Sequence, residues 1–133
     1  MELIIDTSFL IDLMRAEKAA IQKLEELKKR GVNATLTPVV AYEIFRGAEK
    51  YAKSNQEKEK IARVVKKLPA ERRSFKWEDG VDSASIMNDL EEGEKIEIDD
   101  VMICSVARRT GEIVLTRNSI HFDRLDGVEV ETY

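Results

Sequence analysis

Cysteine, histidine and tryptophan each occur once in this chain of 133 residues, and proline occurs twice. A lone Cys104 in an apolar stretch builds neither a disulfide framework nor a zinc site, so it reads as a small core hydrophobe. With His121 alone, a histidine general base or a Ser-His-Asp triad has a single candidate, and a surface or hydrogen-bonded structural role is the preferred reading of it. Long hydrophobic runs are missing too. The apolar stretch from Val101 to Ala107 is far too short to span a bilayer, so no membrane association is expected. No basic segment or cleavage site precedes Leu3-Ile4-Ile5, so no secretory signal is expected. A reducing, cytoplasmic setting is expected.

Neither sign of charge dominates: 22 basic against 26 acidic residues leave a net charge of −4, which argues against indiscriminate nucleic-acid binding. What is present is a hydrophobic fraction of 43%, enough for a real core and too high for wholesale disorder. The length suits one domain over residues 1–133. Charge is segregated along the chain. Residues 58–76 hold eight basic and two acidic side chains, whereas residues 78–100 hold ten acidic ones and a single lysine. Such a chain can present basic and acidic surfaces side by side, or simply two solvated helix faces.

Glycines and prolines fall between periodic segments, as in one α/β unit. Leu3-Ile4-Ile5 reads as a buried strand ending at Asp6, with Thr7-Ser8 capping a helix to about Arg15. A second helix spans about 17–30, facing inward through Ala20, Ile21, Leu24 and Leu27 and stopping at Gly31. Val32, Ala34 and Leu36 alternate as a strand, and Thr37-Pro38 starts a third helix carrying Val40, Ile44 and Gly47. A capping box at Ser54–Glu57 opens a fourth helix, stopped by Pro69. Phe75 falls in a short extended piece. A fifth helix from about Glu78 would bury Val81, Ala84, Met87 and Leu90 and stop at Gly93. Residues 96–98 read as extended, and Asp99 as the cap of a sixth helix closed by Gly111. Strands at 113–115 and 128–130 follow. Strands alternating with helices predict an α/β/α sandwich with a central, mainly parallel sheet.

In such sheets ligands bind at the carboxyl ends of the strands. Asp6 ends the first strand, Glu43 lies a turn or so into the helix after the second, and Asp99-Asp100 open the sixth helix. Thr116 and Asn118 follow the strand at 113–115. A parallel sheet would bring Asp6, Glu43 and Asp100 to one edge. Each has a plain structural role available, as a cap, a helix-dipole partner or a solvated side chain. Their convergence is what argues for a site. Gathered carboxylates repel unless a cation neutralises them, and oxygen-only ligands select a hard ion, Mg²⁺ or Mn²⁺.

Asp6-Thr7-Ser8, Glu43 followed by Gly47, Asp100-Val-Met-Ile103 leading to Ala107, and Leu115-Thr116-Arg117-Asn118 with Phe122 together resemble the PIN domain. More narrowly, they resemble the VapC-type toxins of toxin–antitoxin pairs. The likeness runs in order over nearly the whole chain. It implies a Mg²⁺-dependent endoribonuclease, a homodimer, inhibited by a VapB-type antitoxin. By position, Asp6 and Asp100 would be the principal metal ligands and Glu43 would complete the triad, while Thr116 would orient a carboxylate or a water. Asn118 stands where many relatives carry a fourth acid, so a second metal is in question. Arg46, Arg117 and the basic 58–76 segment are candidate phosphate contacts.

The expected function is therefore hydrolysis of RNA phosphodiesters, leaving a 5′-phosphate and a 3′-hydroxyl. One rival is a PIN-like module that binds RNA or a partner without cutting. A phosphoryl-accepting regulatory domain is a second, disfavoured because no acidic pair follows Asp6 and the late strand ends Thr116-Arg117 rather than in lysine.

Overall fold

The central strands, at residues 2–5 and 113–115, are short, mainly apolar and mostly buried, so both faces of the sheet must be covered there, and helices cover them. A computed structural model describes residues 2–90 and 96–133. Its strands are β1 (Glu2–Ile5), β2 (Asn33–Leu36), β3 (Ala70–Arg72), β4 (Ile113–Leu115) and β5 (Val130–Glu131). The helices are α1 (Thr7–Met14), α2 (Lys18–Arg30), α3 (Pro38–Glu49), α4 (Ser54–Lys67), α5 (Trp77–Asp89), α6 (Ile98–Thr110) and α7 (Ser119–Asp123). All the strand pairs are parallel and the order is β3-β2-β1-β4-β5. Leu3 faces Ala34 on one side and Ile113 on the other, placing β1 at the centre. The chain winds outward from β1 through β2 to β3, then restarts on the opposite side with β4. The carboxyl ends of β1 and β4 therefore flank the point where winding reverses, where open α/β sheets leave a crevice.

Leu3, Ile4, Phe9, Val101, Ile103, Val106, Val114 and Phe122 are fully buried and form the centre of the core. Local signals set most boundaries. Thr37 caps α3 by accepting the Val40 N–H at 3.4 Å, with Pro38 in the first helical turn. Gly31 and Gly111 end α2 and α6 at φ of +66° and +75°, left-handed values that cost glycine nothing.

Several expectations are corrected. Asp6, not Thr7-Ser8, stands at the cap position of α1. Ser54 is the first residue of α4 behind Lys53, without a side-chain capping bond. Asp99 lies inside α6, which begins at Ile98 behind Glu97, so residues 96–98 form no strand. The extended piece is β3 rather than the stretch at Phe75, and the last strand is shifted to Val130–Glu131. The expected stop at Gly93 lies outside the described residues, and α5 itself ends at Asp89.

The largest correction concerns the face of α5. Val81 and Met87 are exposed, as is Ala84, while Asp79, Ser83 and Ile86 are buried. A polar seam against α6 explains the inversion. Arg109 donates from Nε and Nη2 to the two Asp79 carboxylate oxygens at 2.7 and 3.0 Å, and the Ser83 and Ser105 hydroxyls meet at 2.8 Å. A buried carboxylate held in a two-pronged guanidinium bond is satisfied, so no apolar stripe is needed there.

The edge strand β3 is tied inward by charge. Arg73 Nη2 donates to Glu2 at 2.6 Å, and its Nε stands 2.7 Å from Oε1 of Glu112 as an ion pair without hydrogen-bond alignment. Glu112 is buried and also accepts the Thr35 hydroxyl. Among the described residues no helix is long and apolar enough to cross a membrane.

Candidate active site

At the carboxyl edge, β1 hands directly into Asp6, whose N–H donates to the Leu115 carbonyl at 3.0 Å. That bond registers the end of β1 against the end of β4 and brings Thr116 beside Asp6. Thr116 Oγ1 donates to Asp6 Oδ2 at 2.7 Å, and Ser8 Oγ donates to the same oxygen at 2.9 Å. Each hydroxyl is oriented in turn by a backbone N–H, Asn118 donating to Thr116 at 3.0 Å and Arg117 to Ser8 at 3.2 Å. Asp6 is buried, and both of these side-chain bonds fall on Oδ2.

Glu43 comes from α3, half-buried, and its Oε1 accepts the Thr7 hydroxyl at 2.8 Å. Burial pushes its carboxyl up to about 7; the Thr7 bond opposes this, and Asp99, Asp6 and Asp100 add to it. Asp100, in the first turn of α6, is pushed up to about 6 by burial and by Asp6, against a lowering pull from His121. The Asp100 carboxylate lies 3.6 Å from His121 Nδ1. The fold thus brings Asp6, Glu43 and Asp100 within electrostatic reach of one another, with Asp99 beside them.

Thr116 is fully buried against Asp6, while Asn118 is exposed at the cap of α7 without a side-chain capping bond. Sequence alone gives His121 a structural role, names Thr7 and Ser8 without their bonds to Glu43 and Asp6, and does not single out Asp12. Asp12, on the buried face of α1, accepts Arg117 Nη1 at 2.6 Å and the Tyr133 hydroxyl at 2.5 Å. The Tyr133 ring meets Phe9 edge to face at 5.0 Å. Arg117, considered above for phosphate, is thereby committed to a carboxylate and anchors the 116–118 segment. A signal for Asp12 was available in the sequence, an acid on the apolar face shared with Phe9. Of the basic segment, Lys60, Arg63, Lys66 and Lys67 are exposed on α4, whereas Arg73 turns inward.

Among the described residues no trio of His, Cys, Asp or Glu closes around a metal-sized gap as the side chains stand. The donor chemistry nonetheless fits a hard divalent cation: oxygen ligands only, with the charges of Asp6 and Asp100 raising Glu43 and that of Asp6 raising Asp100. The neighbouring Cys104 thiol, pushed up by burial and by Asp100 and Asp6, offers no competing thiolate.

These shifts set a pH dependence. A carboxyl with a raised pKa binds its proton more tightly in the folded chain, so its contribution to stability is full below the unfolded value and is lost as pH rises through the folded one. Without divalent cations, thermal melting between pH 4.5 and 7 is expected to show this contribution of Glu43 and Asp100 declining. Glu43→Gln should flatten the decline. An unchanged slope in that variant would remove Glu43 from the cluster.

A family model described as the PIN domain matches residues 3–128. No curated protein sequence matches. Among solved structures, VapBC2 from Rickettsia felis, bound to a DNA fragment from the promoter, is similar with a TM-score of 0.87 and 21% identity, covering 100% of this chain and 99% of that one. VapBC from Salmonella typhimurium, bound to DNA, is similar at TM-score 0.83 and 19% identity, covering 99% and 98%. VapBC-5 from Mycobacterium tuberculosis, a member of a family of toxin–antitoxin systems, follows at 0.68 and 22%, covering 98% and 96%. With an all-parallel five-stranded sheet, helices on its faces and a family match across nearly its whole length, the chain belongs to the PIN domain family.

Proposed function

We propose that the protein is a divalent-metal-dependent endoribonuclease and the toxin of a type II toxin–antitoxin pair. The observation that carries this reading is the convergence of Asp6, Glu43 and Asp100 at the switch point of the sheet, each from a different element. PIN domains are generally nucleases, and the resemblance to VapBC structures supports a VapB-type antitoxin as partner, with action in the cytoplasm and as a homodimer.

In this reading Asp6 and Asp100 hold Mg²⁺, or Mn²⁺ in its place, and Glu43 completes the set. When bound, the cation supplies a Lewis acid for a phosphoryl oxygen and lowers the pKa of a water. Thr116 and Ser8 pin one oxygen of Asp6, so its carboxylate cannot swing away and the other oxygen keeps a fixed direction. Glu43 is oriented by the Thr7 hydroxyl, and burial, against the pull of that bond, raises its carboxyl to about 7, suited to accept a proton from an attacking water. Asn118 stands exposed at the site's edge and can hydrogen-bond a water or phosphate but adds no charge, which favours one metal over two.

Incubation with a panel of single-stranded RNAs tests the reading. Cleavage in Mg²⁺ or Mn²⁺ should yield 5′-phosphate and 3′-hydroxyl ends, and should stop with EDTA and resume when the cation is restored. Cleavage that persists in EDTA would overturn metal dependence. Tight RNA binding without cleavage under saturating Mn²⁺ would instead favour a non-cleaving PIN-like binding module.

A further inference from the structure

Beside Glu43 a cavity of about 270 Å³ opens between the end of α1, α3 and the start of α4. Its floor is apolar, built from Ile11, Met14, Ile44 and Ile61. Arg15, Tyr51 and Lys60 stand on its rim with the carboxylates of Glu43 and Glu57. Tyr51 is 59% exposed. Among the described residues neither Arg15 nor Lys60 forms an ion pair, although Lys58, two residues from Lys60, pairs with Glu49.

Gly47 adds an independent observation. It lies one turn beyond Glu43 on α3 and also lines the cavity. Glycine inside a helix is unfavourable, and Gly47 has neither a positive φ nor any atom within 4 Å of where a Cβ would stand. Backbone and packing therefore do not require glycine here. What it leaves is open space in the lining of the cavity that Glu43 also lines.

We propose that this cavity is a subsite for one unpaired nucleotide of the RNA strand, next to the phosphate held at Asp6, Glu43 and Asp100. The base lies over the apolar floor against the Tyr51 ring, Arg15 and Lys60 meet the flanking phosphates, and Glu57 accepts a base N–H. The inference rests on the ribonuclease reading and deepens it: the strand must be single at this point, because paired bases cannot leave the stack to enter. The volume is below the roughly 300–1,000 Å³ of pockets for drug-sized ligands, which suits one nucleotide rather than a longer segment.

The test is fluorescence anisotropy with a labelled, unstructured RNA and with the same strand annealed to its complement, in Ca²⁺ buffer. The proteins are wild type, Tyr51→Ala and Gly47→Leu. Wild type should prefer the single strand by about tenfold, and both variants should lose about that factor, the size expected for one stacked base. Gly47→Leu should do so with a melting temperature equal to or above that of wild type. Equal affinity for single strand and duplex in all three proteins overturns the subsite. So does retained RNA affinity in variants that lose a VapB-type antitoxin peptide, which would make the cavity a protein-docking site. If this pattern holds while wild type cleaves no RNA in Mg²⁺, the nuclease reading fails and the subsite stands. If cleavage occurs without the pattern, the subsite alone falls.

Discussion

Asp100→Asn and Asp6→Asn should each abolish Mg²⁺ binding in a calorimetric titration and lower single-turnover RNA cleavage by about a thousandfold. An amide is nearly the shape of the carboxylate, so the fold should survive. Its charge is gone and one oxygen becomes a donor, which turns a hard anionic ligand into a weak one. A bound cation supplies several kcal/mol of charge stabilisation in the transition state, and each ~1.4 kcal/mol lost is a tenfold slower step. The two variants should differ in detail. In Asp6→Asn the amide oxygen can still receive the Ser8 and Thr116 hydroxyls, so the neighbouring segment stays ordered. Asp100→Asn removes the carboxylate facing His121 and one of the charges acting on Glu43. Wild-type Mg²⁺ affinity and cleavage in both proteins would show that the metal and the chemistry lie elsewhere.

Arg73→Met should be among the most destabilising single changes outside the site. It removes the ion-pair partner of Glu112, whose side chain is only 2% exposed, and leaves a buried carboxylate whose remaining side-chain hydrogen bond among the described residues is the one from Thr35. Breaking a buried pair in this way costs about 3–5 kcal/mol, more than the pair itself contributes, because a lone charge stays behind. For a chain of this size the melting temperature should fall by on the order of 10 °C or more. The double variant Arg73→Met, Glu112→Gln should recover much of the loss, since the charge is then gone. A shift of a degree or two in the single variant would mean that water reaches Glu112 and the pair is not a tie for β3.

Glu112 also marks where the sequence was hard to read. The strands at Leu3–Ile5 and Ile113–Leu115 were legible because apolar runs bounded by polar residues admit few alternatives, and the parallel order follows from the intervening helices. Thr37-Pro38 and the glycines at 31 and 111 announce helix boundaries through chemistry that acts locally. That Asp6, Glu43, Asp100 and Thr116 meet at one edge was legible for a related reason: topology alone brings strand ends and helix starts together there. The rest depended on partners distant in sequence. Val81, Ala84 and Met87 have the spacing of a core face, yet Asp79 found Arg109 on α6 and the polar side turned inward. Asp12 and Arg117 form a tie across 105 residues that no local pattern encodes. His121 looked peripheral until α7, a helix of five residues absent from the sequence reading, carried it to Asp100.

The inverted face of α5 has a practical consequence. The single tryptophan of the chain, Trp77, opens that helix with 85% of its surface exposed, remote in sequence from every carboxylate of the site. An indole already surrounded by water emits with nearly the colour of the unfolded chain, so tryptophan fluorescence will report little as the protein melts. Far-ultraviolet circular dichroism is the sounder probe of unfolding. The same insensitivity makes Trp77 a clean optical reporter: a blue shift that grows with protein concentration, or on adding another protein, signals that something has covered α5.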